Sequence, residues 1–353
     1  MKIVTILGAR PQFIKSSIVS KAIKKFSELE EISIHTGQHF DENMSNIFFE
    51  QFQMPKPLYN LNINKNNHGE MTGLMLDEIE KILIKENPQG VLVYGDTNST
   101  LAGSLAAVKL NIPIFHVEAG LRSYNRSMPE EINRILTDHI SSLLFCPTEN
   151  AVKILKKEGI ENGVIYSGDV MYDLFINQSS NKSLYNNPFV LATIHRPSNT
   201  DNPKVLNEII EGLEEINSKI KVILPLHPRT KKKIKELDLS SSFTIIPPLG
   251  YKEMINYLIN AELVITDSGG LQKEAFFSKT KCITVRSETE WVELIDSGAN
   301  ILCESSKKAI CDAFNKMTLK KCDFSPKFYG KGKAAIKIVK SISSFFDTTK
   351  FQN

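Results

Sequence analysis

The sequence predicts an α/β protein of two Rossmann-like domains, and three observations carry that prediction. Short apolar runs rich in branched residues alternate with segments of helical periodicity, which is the mark of repeated βα units and of parallel sheets covered on both faces. The alternation comes in two series, separated by the polar, turn-rich stretch from Gln178 to Pro188, which reads as a linker. At 353 residues the chain has the length of two domains.

In the first series Ile3 to Leu7 reads as a strand, followed by the turn Gly8-Ala9-Arg10-Pro11 and a helix to about Phe26. Ile32 to Thr36 is the next expected strand, and Ile79 to Glu86 closes a helix. Val91 to Tyr94 is a strand ending at Gly95-Asp96, Thr100 to Lys109 is a helix, and Ile112 to Val117 is a strand ending at Glu118-Ala119-Gly120. The second series has expected strands at Phe189–Ile194, Val222–Leu226, Thr244–Ile246, Leu263–Thr266 and Lys281–Val285. The expected domains are therefore residues 1–175 and 176–330, with residues 331–353 carrying a terminal apolar helix that packs back across to the first domain. No internal repeat or low-complexity tract interrupts this plan.

Composition excludes several classes of function. An apolar fraction of 41%, a charged fraction of 24% and a net charge of +3 describe an ordinary globular protein. The lysine runs Lys231–Lys233 and Lys320–Lys321 read as solvated helix faces, so no nucleic-acid partner is expected. The five cysteines, Cys146, Cys282, Cys303, Cys311 and Cys322, form no CxxC pair, which argues against a disulfide framework or a zinc site and for a reducing compartment. No apolar run approaches the ~18 residues of a membrane span, and no signal segment is apparent, so a cytoplasmic protein without a membrane partner is expected. The chain lacks HExxH and GxGxxG spacings, so neither a metal nor a nicotinamide cofactor is expected.

The polar clusters that end the strands carry the chemistry. Leu263–Thr266 followed by Asp267-Ser268-Gly269-Gly270 reads as a strand, a tight turn and a helix N-terminus. Such a terminus offers unpaired N–H groups and a positive dipole end, and two glycines let a ligand approach the backbone, so a diphosphate fits there. Glu274, one turn on, is placed to accept hydrogen bonds from a ribose, which together suggest a nucleoside diphosphate. A capped, glycine-rich turn without a ligand is the plainer alternative. Arg10 brings a guanidinium to the end of the first strand, with Lys15 one turn into the helix, and forks of this type match phosphate oxygens; a surface arginine is the alternative. Asp96, Glu118, and Glu130 with Glu131 lie at or just beyond strand ends, with Arg122 and Arg134 nearby to hold them ionised, and make a candidate acid/base set. Each also has a structural reading, Asp96 as a helix cap and Glu130 and Glu131 as first-turn acids. His195-Arg196 and His227-Pro228-Arg229 end strands of the second series and would face the same ligand.

These residues carry a family resemblance. The stretches Gly8–Lys15, His35–Phe40, Tyr94–Ala102, His116–Ser123, Met128–His139 and Thr266–Ala275 resemble, in order and over nearly the whole chain, the non-hydrolysing UDP-N-acetylglucosamine 2-epimerases. The resemblance implies a GT-B-like pair of Rossmann-like domains with UDP in the cleft between them, commonly as a homodimer, and no cofactor. It implies catalytic roles for Asp96, Glu118, Glu130 and His195. It implies substrate contacts from Arg10, His227, Ser268, Gly269, Gly270 and Glu274, with Lys15 and Arg134 beside them. The implied reaction breaks the anomeric C1–O bond, removes the C2 proton to leave a 2-acetamidoglucal, and returns UDP after reprotonation on the opposite face, in the service of surface-polysaccharide synthesis.

Two stretches depart from the common pattern. Gln38-His39-Phe40 and Gly69-Glu70 replace a Gln-His-Arg stretch and a Gly-Gln pair that hold an activating UDP-sugar in several bacterial relatives. A lost arginine and a gained carboxylate disfavour an anionic second ligand. Glu288-Thr289-Glu290-Trp291-Val292-Glu293 is more similar to the branch acting on UDP-2,3-diacetamido-2,3-dideoxy-glucuronate, which is the alternative substrate. A GT-B glycosyltransferase would share the architecture but have little use for so many carboxylates in the first domain. A non-catalytic nucleotide-sugar sensor would tolerate their loss.

Overall fold

The computed structural model describes residues 1–38, 54–65, 67–178, 187–237 and 241–349. His39 and Phe40, and most of the expected linker, lie outside the described residues. The chain forms two compact units, Met1–Leu174 with Lys327–Asn353, and Phe175–Pro326.

Among the described residues the first unit holds seven parallel strands: β1 (Lys2–Leu7), β2 (Glu30–His35), β3 (Tyr59–Asn60), β4 (Gly90–Tyr94), β5 (Ile114–Val117), β6 (Leu143–Cys146) and β7 (Val164–Tyr166), in the order β3-β2-β1-β4-β5-β6-β7. Alternation along the strands feeds two cores. Ile3 and Leu7 of β1 and Leu92 and Tyr94 of β4 enter one, while Val4, Ile6, Val91 and Val93 enter the other. That is the near-continuous apolar pattern of a sheet covered on both faces. The C-terminal helix Ala334–Thr349 closes the first core with Ile338, Val339, Ile342 and Phe346. Phe345 and Phe346 meet Phe115 of β5 edge-on, at ring centroids 5.5 and 5.6 Å apart. Asp173 accepts the N–H groups of Ala334 and Ala335 and so caps that helix.

The second unit repeats the plan, among the described residues, with six parallel strands: β8 (Phe189–Thr193), β9 (Lys221–Pro225), β10 (Thr244–Ile246), β11 (Leu263–Thr266), β12 (Lys281–Val285) and β13 (Asn300–Cys303), ordered β10-β9-β8-β11-β12-β13. This is the 3-2-1-4-5-6 order of the doubly wound fold, and the first unit has the same order with one strand added at its edge. Strands β3, β6, β7 and β13 had no counterpart in the sequence-based expectation. The five cysteines are free thiols. Among the described residues no helix is long and apolar enough to cross a membrane.

The order reverses between β1 and β4 in the first unit, and between β8 and β11 in the second. Open α/β sheets bind ligands at such points, beyond the carboxyl ends of the strands. The topology thus selects four turns: Gly8–Arg10 and Gly95-Asp96, then His195-Arg196 and Asp267–Gly270.

Candidate active site

In the first unit the turn after β1 is sewn to the turn after β4 by one buried side chain. Gln12 accepts the N–H groups of Gly8 and Ala9 at 2.8 and 3.0 Å and donates to Tyr94 O and Thr100 Oγ1, both at 2.9 Å. Gly8 is obligatory there, because a Cβ would lie 2.0 Å from Ser99 Oγ and 2.2 Å from Thr36 Oγ1. Arg10 and Lys15 follow on helix Arg10–Ile23. Lys15 Nζ forms an ion pair with Glu118 Oε2.

Glu118 has a left-handed backbone, φ +72°, which costs a non-glycine residue about 1–3 kcal/mol and persists only where the surroundings hold it. The holding groups are visible. Glu118 N and Ala119 N both donate to Phe145 O at 3.1 Å, and Gly120 N donates to Asp138. Asp138 also accepts His116 Nδ1 at 2.8 Å and Arg122 NH1 at 2.7 Å, while His116 Nε2 bonds Gly95 O at 2.8 Å. Burial alone would raise the Asp138 carboxyl, but His116 and Arg122 outweigh it and hold that carboxyl below its ordinary range. A fully buried chain of groups therefore fixes the turn carrying Asp96 and the backbone carrying Glu118.

Asp96 pairs with Arg134, whose other arm reaches Glu131 at 3.0 Å. Arg134 serves a carboxylate as expected. Arg122 does not: it is spent on Asp138 and Glu158, away from the candidate acid/base set. The helix cap near Asp96 is Thr97, not Asp96 itself. Glu130 and Glu131 part company on helix Pro129–Ile140: Glu130 is exposed, whereas Glu131 is buried and accepts from Ser123 N, Ser123 Oγ and Tyr124 N. Glu70 is exposed in the first turn of helix His68–Glu86, 3.5 Å from Lys65.

In the second unit Asp267 is the organising group, a role that its turn sequence does not mark. It is fully buried at the end of β11. It accepts His195 N at 2.9 Å, Arg196 N at 2.9 Å and Asn199 Nδ2 at 3.1 Å, and lies 3.1 Å from His195 Nδ1. Burial would raise its carboxyl, but the contacts from His195 and the two backbone N–H groups hold it below the usual 3.8. Stability from such a group is complete above the ordinary carboxylate value and is lost as pH falls through the depressed one. Urea midpoints measured from pH 7 to 3 should therefore drop at the acid end, and Asp267→Asn should flatten that drop; an unchanged acid limb would remove Asp267 as its source.

His195 and His227 lie with ring centroids 5.4 Å apart. His227 caps helix Pro228–Glu236 by accepting Arg229 N at Nδ1, which makes Nε2–H the donor of that ring. Ser268 caps helix Gly269–Phe277, and Gly270 opens onto free space, with nothing within 4 Å of a Cβ built there. A Cβ on Gly269 would lie 3.7 Å from Arg196 NH2 and 3.9 Å from Arg286 NH1. Two guanidinium groups and a helix N-terminus converge on one point, a ready place for an anion. Arg286 had no sequence signal beyond its position after β12. Glu274 is buried on the same helix.

Comparison with known proteins shows the family and the fold. The profile of the UDP-N-acetylglucosamine 2-epimerases matches residues 21–343. The chain belongs to the UDP-N-acetylglucosamine 2-epimerase family. It is 52% identical over 352 residues to the UDP-2,3-diacetamido-2,3-dideoxy-D-glucuronate 2-epimerase of Pseudomonas aeruginosa, covering 97% of this chain and 99% of that one. A UDP-N-acetylglucosamine 2-epimerase homolog of Methanococcus maripaludis is 50% identical over 359 residues, at 96% and 98% coverage. Among solved structures, the UDP-GlcNAc 2-epimerase of Methanocaldococcus jannaschii, in complex with UDP-GlcNAc and UDP, superposes with a TM-score of 0.90 at 45% identity, covering 98% of this chain and 100% of that one. The two parallel-sheet units are those of this GT-B-like epimerase family, as the resemblance implied.

Proposed function

We propose that the protein is a non-hydrolysing 2-epimerase of a UDP-2-acetamido sugar. The observation that carries this reading is the pairing of Glu118 with Lys15 and of Asp96 with Arg134 beside one topological switch point, while the other switch point presents a helix N-terminus flanked by Arg196 and Arg286. The first cluster supplies proton-transfer groups, and the second supplies a diphosphate seat. C2–H of a sugar is a poor acid, so cleavage of the anomeric C1–O bond comes first, with positive charge developing on the ring. Ser268, Gly269 and Gly270, with Arg10 and His227, stabilise the departing UDP. A carboxylate from the set Asp96, Glu118 and Glu130 takes the C2 proton, and a second group returns a proton to the opposite face before UDP adds back. His195 completes the catalytic set, Lys15 and Arg134 orient the carboxylates, and Glu274 accepts from the ribose.

The sugar has two supported readings. UDP-N-acetylglucosamine is the parent substrate of the family, and the Methanocaldococcus relative binds it. UDP-2,3-diacetamido-2,3-dideoxy-glucuronate is supported by the Pseudomonas relative and by the stretch Glu288 to Glu293. A cytoplasmic homodimer supplying surface-polysaccharide precursors completes the proposal, on the strength of the family resemblance.

Proton NMR of the purified protein with each sugar in D2O tests it. Exchange of C2–H with appearance of the C2 epimer identifies the substrate, and silence with both sugars sinks the epimerase reading. Arg10→Ala is expected to weaken UDP binding by about 1.5–3 kcal/mol, the worth of a charged hydrogen bond. Unchanged affinity in calorimetry would remove Arg10 from the site.

A further inference from the structure

We propose that Lys273 and Trp291 are positioning residues for the diphosphate seat, acting through Arg286; the inference rests on the UDP-binding reading above. Lys273 is 1% exposed, and its Nζ lies 4.0 Å from the ring centroid of Trp291, the chain's single tryptophan. The negative face of an indole attracts an ammonium, and more strongly where water is excluded. Lys273 lies one helical turn beyond Gly269, so the two share a face of helix Gly269–Phe277. Gly269 is the point on which the Arg286 guanidinium converges.

Residues Arg286 to Trp291 form a strap beside this helix, tied to it at two places. Thr289 Oγ1 donates to Gln272 Oε1 at 2.7 Å, and Trp291 stacks on Lys273. Trp291 N also donates to Thr289 Oγ1 at 3.2 Å, so the two ties are joined. Glu290, between them, receives both arms of Arg286 at 3.3 Å. The strap thus fixes Glu290, and Glu290 fixes the guanidinium at the helix N-terminus. Loss of the stack frees the tryptophan end of the strap and lets Arg286 drift from the seat. A packing role alone would lower stability and leave anion affinity untouched.

Lys273→Met keeps length and apolar volume but removes the charge. Trp291→Leu removes the ring face, and Trp291→Phe keeps one. Calorimetric titration with UDP is expected to show binding weakened roughly tenfold in Lys273→Met and Trp291→Leu, as for one misplaced charged donor. Trp291→Phe should stay within about threefold of the wild type, because a benzene face still holds the ammonium. In turnover assays kcat/KM should fall by about the same factor as UDP affinity or somewhat more, since the seat also steadies the charge that the diphosphate gains on leaving. Trp291 emission should change on adding UDP, and Arg286→Gln should abolish that change. Wild-type affinity in both Lys273→Met and Trp291→Leu would overturn the inference. If Lys273→Met fails to fold, equal UDP affinity of the Leu and Phe variants at position 291 does the same. A wild-type protein that binds no UDP at all would overturn the function reading, and this inference with it.

Discussion

Replacing Glu118 by Gln is expected to lower turnover by about 10²–10⁴-fold, the span that a positioned acid or base contributes, while UDP binding stays intact. The substitution is isosteric, so the amide still reaches Lys15 and the left-handed backbone at φ +72° is no more strained than before. What it removes is the ability to take or return a proton. Epimerisation followed by NMR gives the rate, and calorimetry with UDP checks that the second unit is undisturbed. Near-normal turnover would take Glu118 out of the catalytic set.

The second large effect is on stability. Asp138→Ala strips an acceptor from His116, Arg122 and Gly120 at once, within a network where the side chains of Asp138, His116 and Arg122 are at most 1% exposed. Breaking a buried ionic network by deleting one partner costs about 3–5 kcal/mol; here Arg122 would keep Glu158 as its carboxylate partner, while His116 Nδ1 and Gly120 N would lose their buried acceptor. Urea denaturation should show that loss directly. A variant within about 1 kcal/mol of the wild type would mean that the network relaxes or admits water, contrary to its role as the support of Glu118.

The strand-end placement of the candidate site was largely legible in the sequence, and the reasons are physical. The strand-end residues Arg10, Asp96, Glu118, His195 and Ser268–Gly270 stand out because a polar cluster after an apolar run has one place to go in a parallel sheet, the carboxyl end. Strands β6 and β13 were not legible, since four-residue apolar runs such as Leu143–Cys146 are equally good pieces of a buried helix. The supports were hidden for another reason. His116 lies inside an apolar strand, and its partner Asp138 is 22 residues away on a helix, so neither carries a local signal of the other. Arg122 was misassigned because sequence nearness to Glu118 says nothing about direction. Glu130 and Glu131 were inseparable without the helix phase, which turns neighbours by about 100° and sends one to solvent and the other onto Arg134.

The C-terminal helix has a consequence for how the protein is made. Phe346, Ile342, Val339 and Ile338 belong to the core of the first unit, yet they are translated after the whole of Phe175–Pro326. Ribosomes deliver about 5–20 residues per second, and domains ordinarily fold as they emerge. Here the unit that begins first must finish last. Phe115 waits for its aromatic partners through roughly 230 residues of further synthesis, about 12–46 seconds at those rates. Meanwhile the inserted unit already has all its strands. Nascent chains stalled short of the last helix should therefore expose apolar surface on the first unit alone, making that half the natural client of a chaperone.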